Sequence, residues 1–373
     1  MYRFELQHTC KRSGARAGRI HTDHGVIDTP AFMPVGTQGA IKAGVLLRDV
    51  HETGARIMLG NTYHLMLRPG AERIEAAGGL HRFTAWQGAL LTDSGGYQVY
   101  SLARTRKVDD RGVTFQSHFD GDEHRLDAER AVALQEAFGT DIAMAFDECP
   151  PAGAPRAEVE RAMRRTTAWL DRCLAARRRA DRTALYGIVQ GGVHEDLRSR
   201  HVEEICTRDG CEGFAIGGLS VGEENERMIE VCGHTAALMP ADKARYLMGV
   251  GTPADLVRCV GLGVDQFDCV LPTRNGRHGK LYTFGGRLYI KNARFTEDDG
   301  PIDPTWSHPL LAAYSRSYLR HLLIVKEDLC RTLCTLHNLA FYQELMRQAR
   351  AAIFEDRYDL WSAEVLEGLQ REA

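Results

Sequence analysis

Short apolar runs alternate with longer segments of helical composition along most of the chain. Each run ends near Gly, Asn, Asp or Gln, and helical patterns fill several of the gaps, notably 155–180, 222–238 and 253–262. The runs occupy 31–36, 56–61, 89–96, 142–147, 184–192, 213–218, 245–251 and a last segment around Phe267 and Asp268. Eight strands, each followed by a helix, predict an α/β fold of the (β/α)8 TIM-barrel type.

The N-terminal residues do not follow this alternation. Residues 1–30 contain β-type segments broken by Gly14, Gly18 and Gly25, which predict an antiparallel β cap. We expect the barrel over 31–290, a helical subdomain inserted around the last barrel helix over 291–345, and a C-terminal helix over 346–373. A doubly wound open sheet is the alternative, but its Gly-x-Gly-x-x-Gly fingerprint after an early strand is missing.

Composition narrows the class of protein. Of 373 residues, 44% are hydrophobic and 26% are charged, which excludes a disordered chain. A net charge of −3 argues against nonspecific coating of nucleic acid, yet allows a local basic face. Residues 1–6 lack a signal-peptide pattern and no apolar run approaches bilayer length, so we expect a cytoplasmic protein without a membrane partner. Its ten cysteines show no CxxC spacing and predict buried thiols, metal ligands or catalytic groups in preference to disulfides.

Polar residues stand where the predicted barrel strands end. These residues are Asp93, Asp147, Gln190, Gly218 and Asp268. The carboxyl ends of the strands meet at one mouth of a barrel, so three acids and an amide should share a pocket. The acids could instead cap helices or bind a divalent metal, although a hard cation would favour further acids nearby.

Glycosyl transfer suits this set better than metal binding. Two carboxylates can serve as nucleophile and general acid/base through a covalent sugar intermediate. The remaining acid and the amide can pair with the edge of a guanine, because together they accept from N–H groups and donate to a carbonyl.

Several motifs then point to one family. They occupy 33–37, 60–65, 93–99, 146–150, 187–192, 217–223 and 267–274. Together, and in this order, they resemble the bacterial tRNA-guanine transglycosylases, also called queuine tRNA-ribosyltransferases. The resemblance covers nearly the whole chain.

The resemblance implies a role for individual residues. Asp268 matches the nucleophile that attacks C1′ of the wobble guanosine, and Asp93 matches the general acid/base. The resemblance implies that the incoming base in bacteria is 7-aminomethyl-7-deazaguanine (preQ1). This exchange of bases is a step of queuosine biosynthesis. The residues expected to bind the base are Asp147, Gln190, Gly218, Leu219, Ser94 and Cys149, with Tyr97 and Met248 on its two sides.

A cationic segment follows the nucleophile and is predicted to be a loop. Thr273, Arg274 and Arg277 of this loop are expected to contact RNA around a flipped anticodon nucleotide. A solvated turn is the alternative. The resemblance also implies tRNA as the macromolecular partner and a possible homodimer.

Two other functions stay open. A non-catalytic or regulatory RNA-binding paralogue would be expected to lose Asp93 or Asp268, and both are present. A transglycosylase that inserts a deazapurine into DNA or another RNA would keep the same pocket, because the pocket reads the base and not the strand.

One segment departs from the family, which carries a zinc site made of Cys-x-Cys-x-x-Cys and a later histidine. Here Trp306, His308 and Leu311 replace the cysteines, while His337 remains. We expect no bound cofactor, with this zinc replaced by an apolar plug of Trp306, Leu310 and Leu311. A relocated site is the alternative, and its ligands would be His308, Cys330, Cys334 and His337.

Overall fold

A computed structural model describes residues 1–102 and 105–371 of the chain. The strands are β1 (Arg3–Thr9), β2 (Arg16–Thr22), β3 (Gly25–Thr29), β4 (Ala31–Met33), β5 (Val35–Gly36), β6 (Ile57–Gly60), β7 (Ala89–Thr92), β8 (Arg106–Asp109), β9 (Gly112–Gln116), β10 (Glu123–Leu126), β11 (Ile142–Met144), β12 (Ala184–Val189), β13 (Gly213–Ile216), β14 (Ala244–Leu247), β15 (Gln266–Asp268), β16 (Lys280–Thr283) and β17 (Gly286–Tyr289). 

The α-helices are α1 (Leu47–Glu52), α2 (Thr62–Leu67), α3 (Ala71–Ala76), α4 (Leu80–Thr84), α5 (Gly96–Leu102), α6 (Ala128–Phe138), α7 (Arg156–Ala176), α8 (Glu195–Cys206), α9 (Asn225–Leu238), α10 (Pro253–Gly261), α11 (Leu271–Gly276), α12 (Arg316–Ile324), α13 (Asp328–Phe354) and α14 (Tyr358–Gln370). A short 3₁₀ helix covers Ala293–Phe295. None of the described helices is both long and apolar enough to cross a membrane.

Nine parallel strand segments close the predicted barrel, in the order β4-β15-β14-β13-β12-β11-β7-β6-β5. The segments β4 and β5 belong to one predicted strand that is interrupted at Pro34, which has no N–H to donate. Its carbonyl still accepts from the Leu59 N–H at 2.9 Å. Because β4 pairs with β15 and β5 pairs with β6, the eight predicted strands form a closed ring, and the barrel prediction is confirmed.

Side chains alternate between the two faces of each barrel strand. Leu91 and Met144 point into an interior cluster, while Leu90 joins the larger core between strands and helices. The predicted antiparallel cap, β1 to β3, is confirmed, and its Ile20 and Ile27 belong to the interior cluster. The cap therefore seals the barrel at the N-terminal end of its strands, opposite the predicted pocket.

A buried ion pair fixes the cap to the barrel. Arg16 Nε and Nη2 donate to Asp265 Oδ1 and Oδ2 at 2.9 and 2.8 Å, and Asp265 immediately precedes β15. The Arg245 N–H donates to the same carboxylate at 2.7 Å. Two parallel hydrogen bonds between buried charges set the orientation of both groups.

The segment after Asp268 is not the predicted loop. Residues Leu271–Gly276 form α11, whose first turn accommodates Pro272 because no N–H is required there. Gly276 lies against α13 so closely that an added Cβ would be 2.7 Å from the Thr335 N. Arg274 therefore lies on a short helix that packs against a long one, and Arg277 follows that short helix directly.

Two further regions differ from the pattern of the sequence. Strands β8 to β10 form a three-stranded antiparallel sheet between α5 and α6, which the strand and helix alternation does not predict. Helix α13 runs through the expected boundary between residues 345 and 346, and α14 is a separate C-terminal helix. The predicted boundary between the segments 291–345 and 346–373 therefore falls inside a single helix. The division into these two segments stays a prediction.

Candidate active site

The predicted pocket residues lie at the carboxyl ends of six neighbouring barrel strands. In sheet order, the strands are β7, β11, β12, β13, β14 and β15. The residues that follow or end them are, in the same order, Asp93, Asp147, Gln190, Gly218, Met248 and Asp268. Alignment of parallel strands thus places these residues around one mouth.

Asp93 is buried and held by three donors. The Asn61 side-chain N–H donates to Oδ2 at 2.7 Å, and the N–H groups of Thr62 and Gly95 donate to Oδ1 at 3.0 and 3.1 Å. Burial raises the pKa of Asp93 to about 7, the N–H groups oppose that shift, and the charge of Asp268 adds to it. Near neutral pH this carboxyl can therefore both give and accept a proton.

Asp147 and Gln190 form a second buried unit. Ser94 Oγ donates to Asp147 Oδ1 at 3.0 Å, and Gln190 Nε2 donates to Oδ2 at 2.8 Å. Burial raises the pKa of Asp147 to about 6 despite both hydrogen bonds. Among the described residues, the buried Gln190 Oε1 has no hydrogen-bond partner. An N–H donor entering the pocket would satisfy this oxygen.

Asp268 is held through one of its two oxygens. Tyr246 Oη and the Gly249 N–H donate to Oδ1 at 2.6 and 2.7 Å. No described residue donates to Oδ2, and the side chain keeps partial exposure at the mouth. Burial raises the pKa of Asp268, while the two donors lower it. A carboxylate anchored on one oxygen and open at the other is suited to nucleophilic attack.

A buried arginine and histidine lie beneath the Gln190 and Gly218 segments. Arg198 donates to the carbonyl groups of Gly192 at 2.9 Å, Val189 at 3.0 Å and Gly218 at 3.4 Å. Burial lowers the pKa of Arg198 to about 10, so it stays protonated at neutral pH. Burial also lowers the pKa of His201 to about 3, which leaves its Nδ1 to accept the Gln190 N–H at 2.7 Å.

Gly218 has no room for a side chain. Its φ is +65°, and an added Cβ would lie 2.3 Å from Gln190 Oε1. Glycine adopts this left-handed conformation without the penalty that other residues incur. The predicted neighbour Leu219 is buried, so its backbone is the part that remains for contact with a ligand.

The remaining predicted base contacts differ in exposure. Tyr97 is 47% exposed in the first turn of α5, and Met248 is half-buried beside the interior cluster. Cys149 is buried, and burial raises the pKa of its thiol to about 12. Because the thiolate is the nucleophilic form of cysteine, Cys149 contributes packing at this mouth.

The predicted RNA contacts lie on and just after α11. Arg274 is exposed, whereas Arg277 is partly buried and its Nε donates to the Thr273 carbonyl at 3.2 Å. Thr273 is buried, and its hydroxyl donates to the Val270 carbonyl at 3.1 Å. Arg274 is thus the member of the three that is most open to a large ligand.

The alternative metal ligands are not brought together. Cys330 and Cys334 have their Sγ atoms 3.8 Å apart on α13, but His337 Nε2 lies 2.8 Å from the Tyr282 carbonyl. Within the described ranges, the donor groups close enough to share a metal ion include none of these residues or His308. The predicted plug is apolar packing: Leu311 is buried in the core, and Trp306 and Leu310 pack against it.

The sequence of this chain is similar to those of known proteins. A family model described as Queuine tRNA-ribosyltransferase matches residues 10–371. A queuine tRNA-ribosyltransferase of Solidesulfovibrio magneticus is 51% identical over 352 residues, covering 94% of each chain. One from Herpetosiphon aurantiacus is 51% identical and covers 96% of this chain and 90% of its own. This chain belongs to the queuine tRNA-ribosyltransferase family.

Some residues of this family member could not be assigned from the sequence pattern. Asn61 belongs to the motif at 60–65 and also caps α2, where its side-chain oxygen accepts from the His64 N–H at 3.2 Å. Only the structure shows that its amide group donates to Asp93. Tyr246 lies inside an apolar strand. Arg198 and His201 lie on the buried face of α8, where a charged residue among apolar ones is the one available signal.

The raised pKa of Asp93 predicts how the free energy of unfolding changes with pH. An unfolded aspartate has a pKa of about 3.9. Because the folded-state pKa is higher, the stabilisation from this group is full below the unfolded pKa and is lost as the pH rises through the folded pKa of about 7. Relative to the unmodified chain, Asp93→Asn should gain about 2 to 3 kcal/mol of unfolding free energy between pH 5 and pH 8.

Urea unfolding at the two pH values measures this difference, in which any pH-independent effect of the substitution cancels. The matched control is Asp196→Asn, because the Arg156 guanidinium lowers the pKa of Asp196 to about 2, below the measured range. An equal change for Asp93→Asn at both pH values would contradict the assigned pKa.

Proposed function

We propose that this chain exchanges the wobble guanine of tRNA for a 7-deazaguanine of the preQ1 type through a covalent Asp268–ribose intermediate. Family membership makes the chain a tRNA-ribosyltransferase, which is a pentosyl-transferring enzyme. The observation that carries the proposal is the contrast between two neighbouring acids. Asp268 is anchored on Oδ1 alone, and Asp93 has a pKa near neutrality.

In the first half-reaction, an oxygen of Asp268 forms a bond to C1′ of the target nucleotide. The bond between C1′ and N9 breaks, and its electron pair leaves with guanine. Asp93 in its protonated form supplies a proton to the departing base. Tyr246 and Gly249 keep Oδ1 in place, so the carboxylate approaches the sugar in one orientation.

In the second half-reaction, the same groups act in reverse. Asp93, now ionised, removes the N9 proton from the incoming base, and N9 forms the new bond to C1′. The ester bond between C1′ and Asp268 breaks, which restores both carboxyl groups. A pKa of about 7 favours alternation between donor and acceptor at neutral pH.

Recognition of the base is assigned to Asp147, Gln190 and the backbone at Gly218 and Leu219. The Asp147 carboxylate and Gln190 Oε1 can accept from the N–H groups of a guanine-type edge. Tyr97 and Met248 are proposed to cover the two faces of the ring, with Ser94 and Cys149 lining the pocket. Arg198 and His201 act as positioning residues that hold these acceptors in place.

The proposed partner is the anticodon loop of tRNA, with Arg274 and Arg277 near its phosphates and Thr273 holding α11. A homodimer and a cytoplasmic location, both expected from the sequence, complete the proposal. A regulatory paralogue without activity is the less favoured function, since both acids keep dedicated donors. Action on DNA or another RNA is the second alternative, and labelling of such a nucleic acid with guanine would reveal it.

Asp268→Asn should abolish incorporation of labelled guanine into tRNA and the denaturant-resistant protein–tRNA adduct. Asparagine keeps an oxygen for the Tyr246 and Gly249 donors, so the variant should fold, but its amide cannot act as the nucleophile. The control Asp110→Asn changes an exposed acid and should leave exchange intact. Surviving exchange in Asp268→Asn would reject the nucleophile, and labelling of single-stranded or duplex DNA would reject tRNA as the sole substrate.

Arg274→Ala should weaken tRNA binding and lower the slope of log affinity against log salt by about 1. The matched control is Arg182→Ala, since Arg182 is 74% exposed just before β12, at the opposite end of the barrel. Binding at several salt concentrations gives the two slopes. An unchanged slope together with weaker binding of free guanine would place Arg274 at the base instead.

A further inference from the structure

A second group of ionisable side chains lies at the sealed end of the barrel. His24 is in the turn between β2 and β3, His81 is on α4, and Asp141 immediately precedes β11. Asp141 is 2% exposed, whereas the side chains of His81 and His24 are 12% and 40% exposed. Three segments that are distant in sequence thus meet at one buried carboxylate that solvent can approach from the His24 side.

The geometry of this group is compact. His24 Nδ1 lies 2.8 Å from Asp141 Oδ1, and His81 Nε2 lies 3.2 Å from Asp141 Oδ2. The two imidazole rings are stacked with centroids 3.5 Å apart and an interplanar angle of 13°. One donor atom from each residue lies within 4.8 Å of the other two.

Hydrogen bonding accounts for only part of this arrangement. The Leu90 N–H donates to Asp141 Oδ2 at 2.8 Å, and His24 shares a proton with Oδ1. His81 Nε2 is buried and, among the described residues, has no partner in hydrogen-bonding geometry despite its short distance to Oδ2. No Lys or Arg within residues 1–102 and 105–371 forms an ion pair with Asp141. The Nε2 atom of His81 is therefore available to bind a cation.

We propose that His24, His81 and Asp141 bind a divalent transition-metal ion of the Zn²⁺ type at the sealed end of the barrel. Two imidazole nitrogens and one carboxylate oxygen are common protein ligands of zinc, with water in the fourth position. Tetrahedral bonds of about 2.0 to 2.1 Å put ligand atoms about 3.3 Å apart, and the ligand atoms here lie within 4.8 Å of one another. Because the lone pairs of two stacked rings do not converge on one point, binding requires the exposed His24 ring to rotate out of the stack. Binding displaces the proton between His24 Nδ1 and Asp141 Oδ1 to solvent.

This metal is structural and does not take part in base exchange. Asp141 stands at the start of β11 and Asp147 beyond its end, so roughly 20 Å of extended chain separates them. A metal here joins the cap hairpin to α4 and to the first residue before β11. The site has no sulfur ligand, which separates it from the Cys330 and Cys334 pair on α13.

The test is binding of Zn²⁺ alone and of Co²⁺ alone to the chelator-treated full chain. We expect one Zn²⁺ per chain, a Co²⁺ spectrum without a thiolate charge-transfer band, and a higher melting temperature with metal. His24→Gln and His81→Gln should each weaken affinity by at least about tenfold and remove the metal-dependent rise in melting temperature.

Two matched variants complete the design. Cys330→Ser/Cys334→Ser removes the sulfur pair, and His234→Gln removes a histidine that hydrogen-bonds to Ser199 away from the cluster. Both should keep full binding. The proposal is overturned if the unmodified chain and both histidine variants bind Zn²⁺ equally, if the cysteine variant loses Zn²⁺ binding, or if the chelator-treated unmodified chain binds no Zn²⁺. His24 is 40% exposed, so His24→Gln remains informative should His81→Gln fail to fold.

Discussion

Removal of three carboxyl groups from water at one end of the barrel is the constraint on which the site depends. Burial raises the pKa of Asp93, Asp147 and Asp268 alike, because a charged group loses hydration in each place. What distinguishes them is the set of donors that the protein supplies. Asp93 has donors on both oxygens, Asp147 shares its oxygens with Ser94 and Gln190, and Asp268 has donors on one oxygen only.

The rest of the fold keeps that arrangement in place. The cap closes the opposite end of the barrel interior with apolar side chains, among them Ile20 and Ile27. Below the residues proposed to bind the base, Arg198 connects two strand ends through carbonyl groups, and His201 accepts the N–H of Gln190. Groups held in this way need little rearrangement when a ligand arrives, which is the basis of preorganised catalysis.

The barrel and the strand-end residues could be predicted because both depend on periodicity. An apolar run ended by a polar residue fixes the strand and the mouth together, as for residues 89–93. The helix after Asp268 could not be predicted in this way, since Pro272 and Gly276 are turn signals until α13 is known to lie against them. Strands β8 to β10 could not be predicted because they contain fewer apolar residues than the barrel strands. The role of Arg198 could not be predicted either, because it depends on carbonyl groups from two different segments of the chain.

Proteins of the same family are about half identical to this chain in sequence. The segment around Trp306, where the sequence predicts an apolar plug, packs against the core beside α13. Asp268 is the proposed point of covalent attachment to the ribose. The most direct measurement is peptide mapping by mass spectrometry of the adduct trapped with tRNA and denatured. We expect ribose-linked RNA on the peptide that contains Asp268. Attachment to a peptide that contains Asp93 or Asp147 and not Asp268 would contradict it.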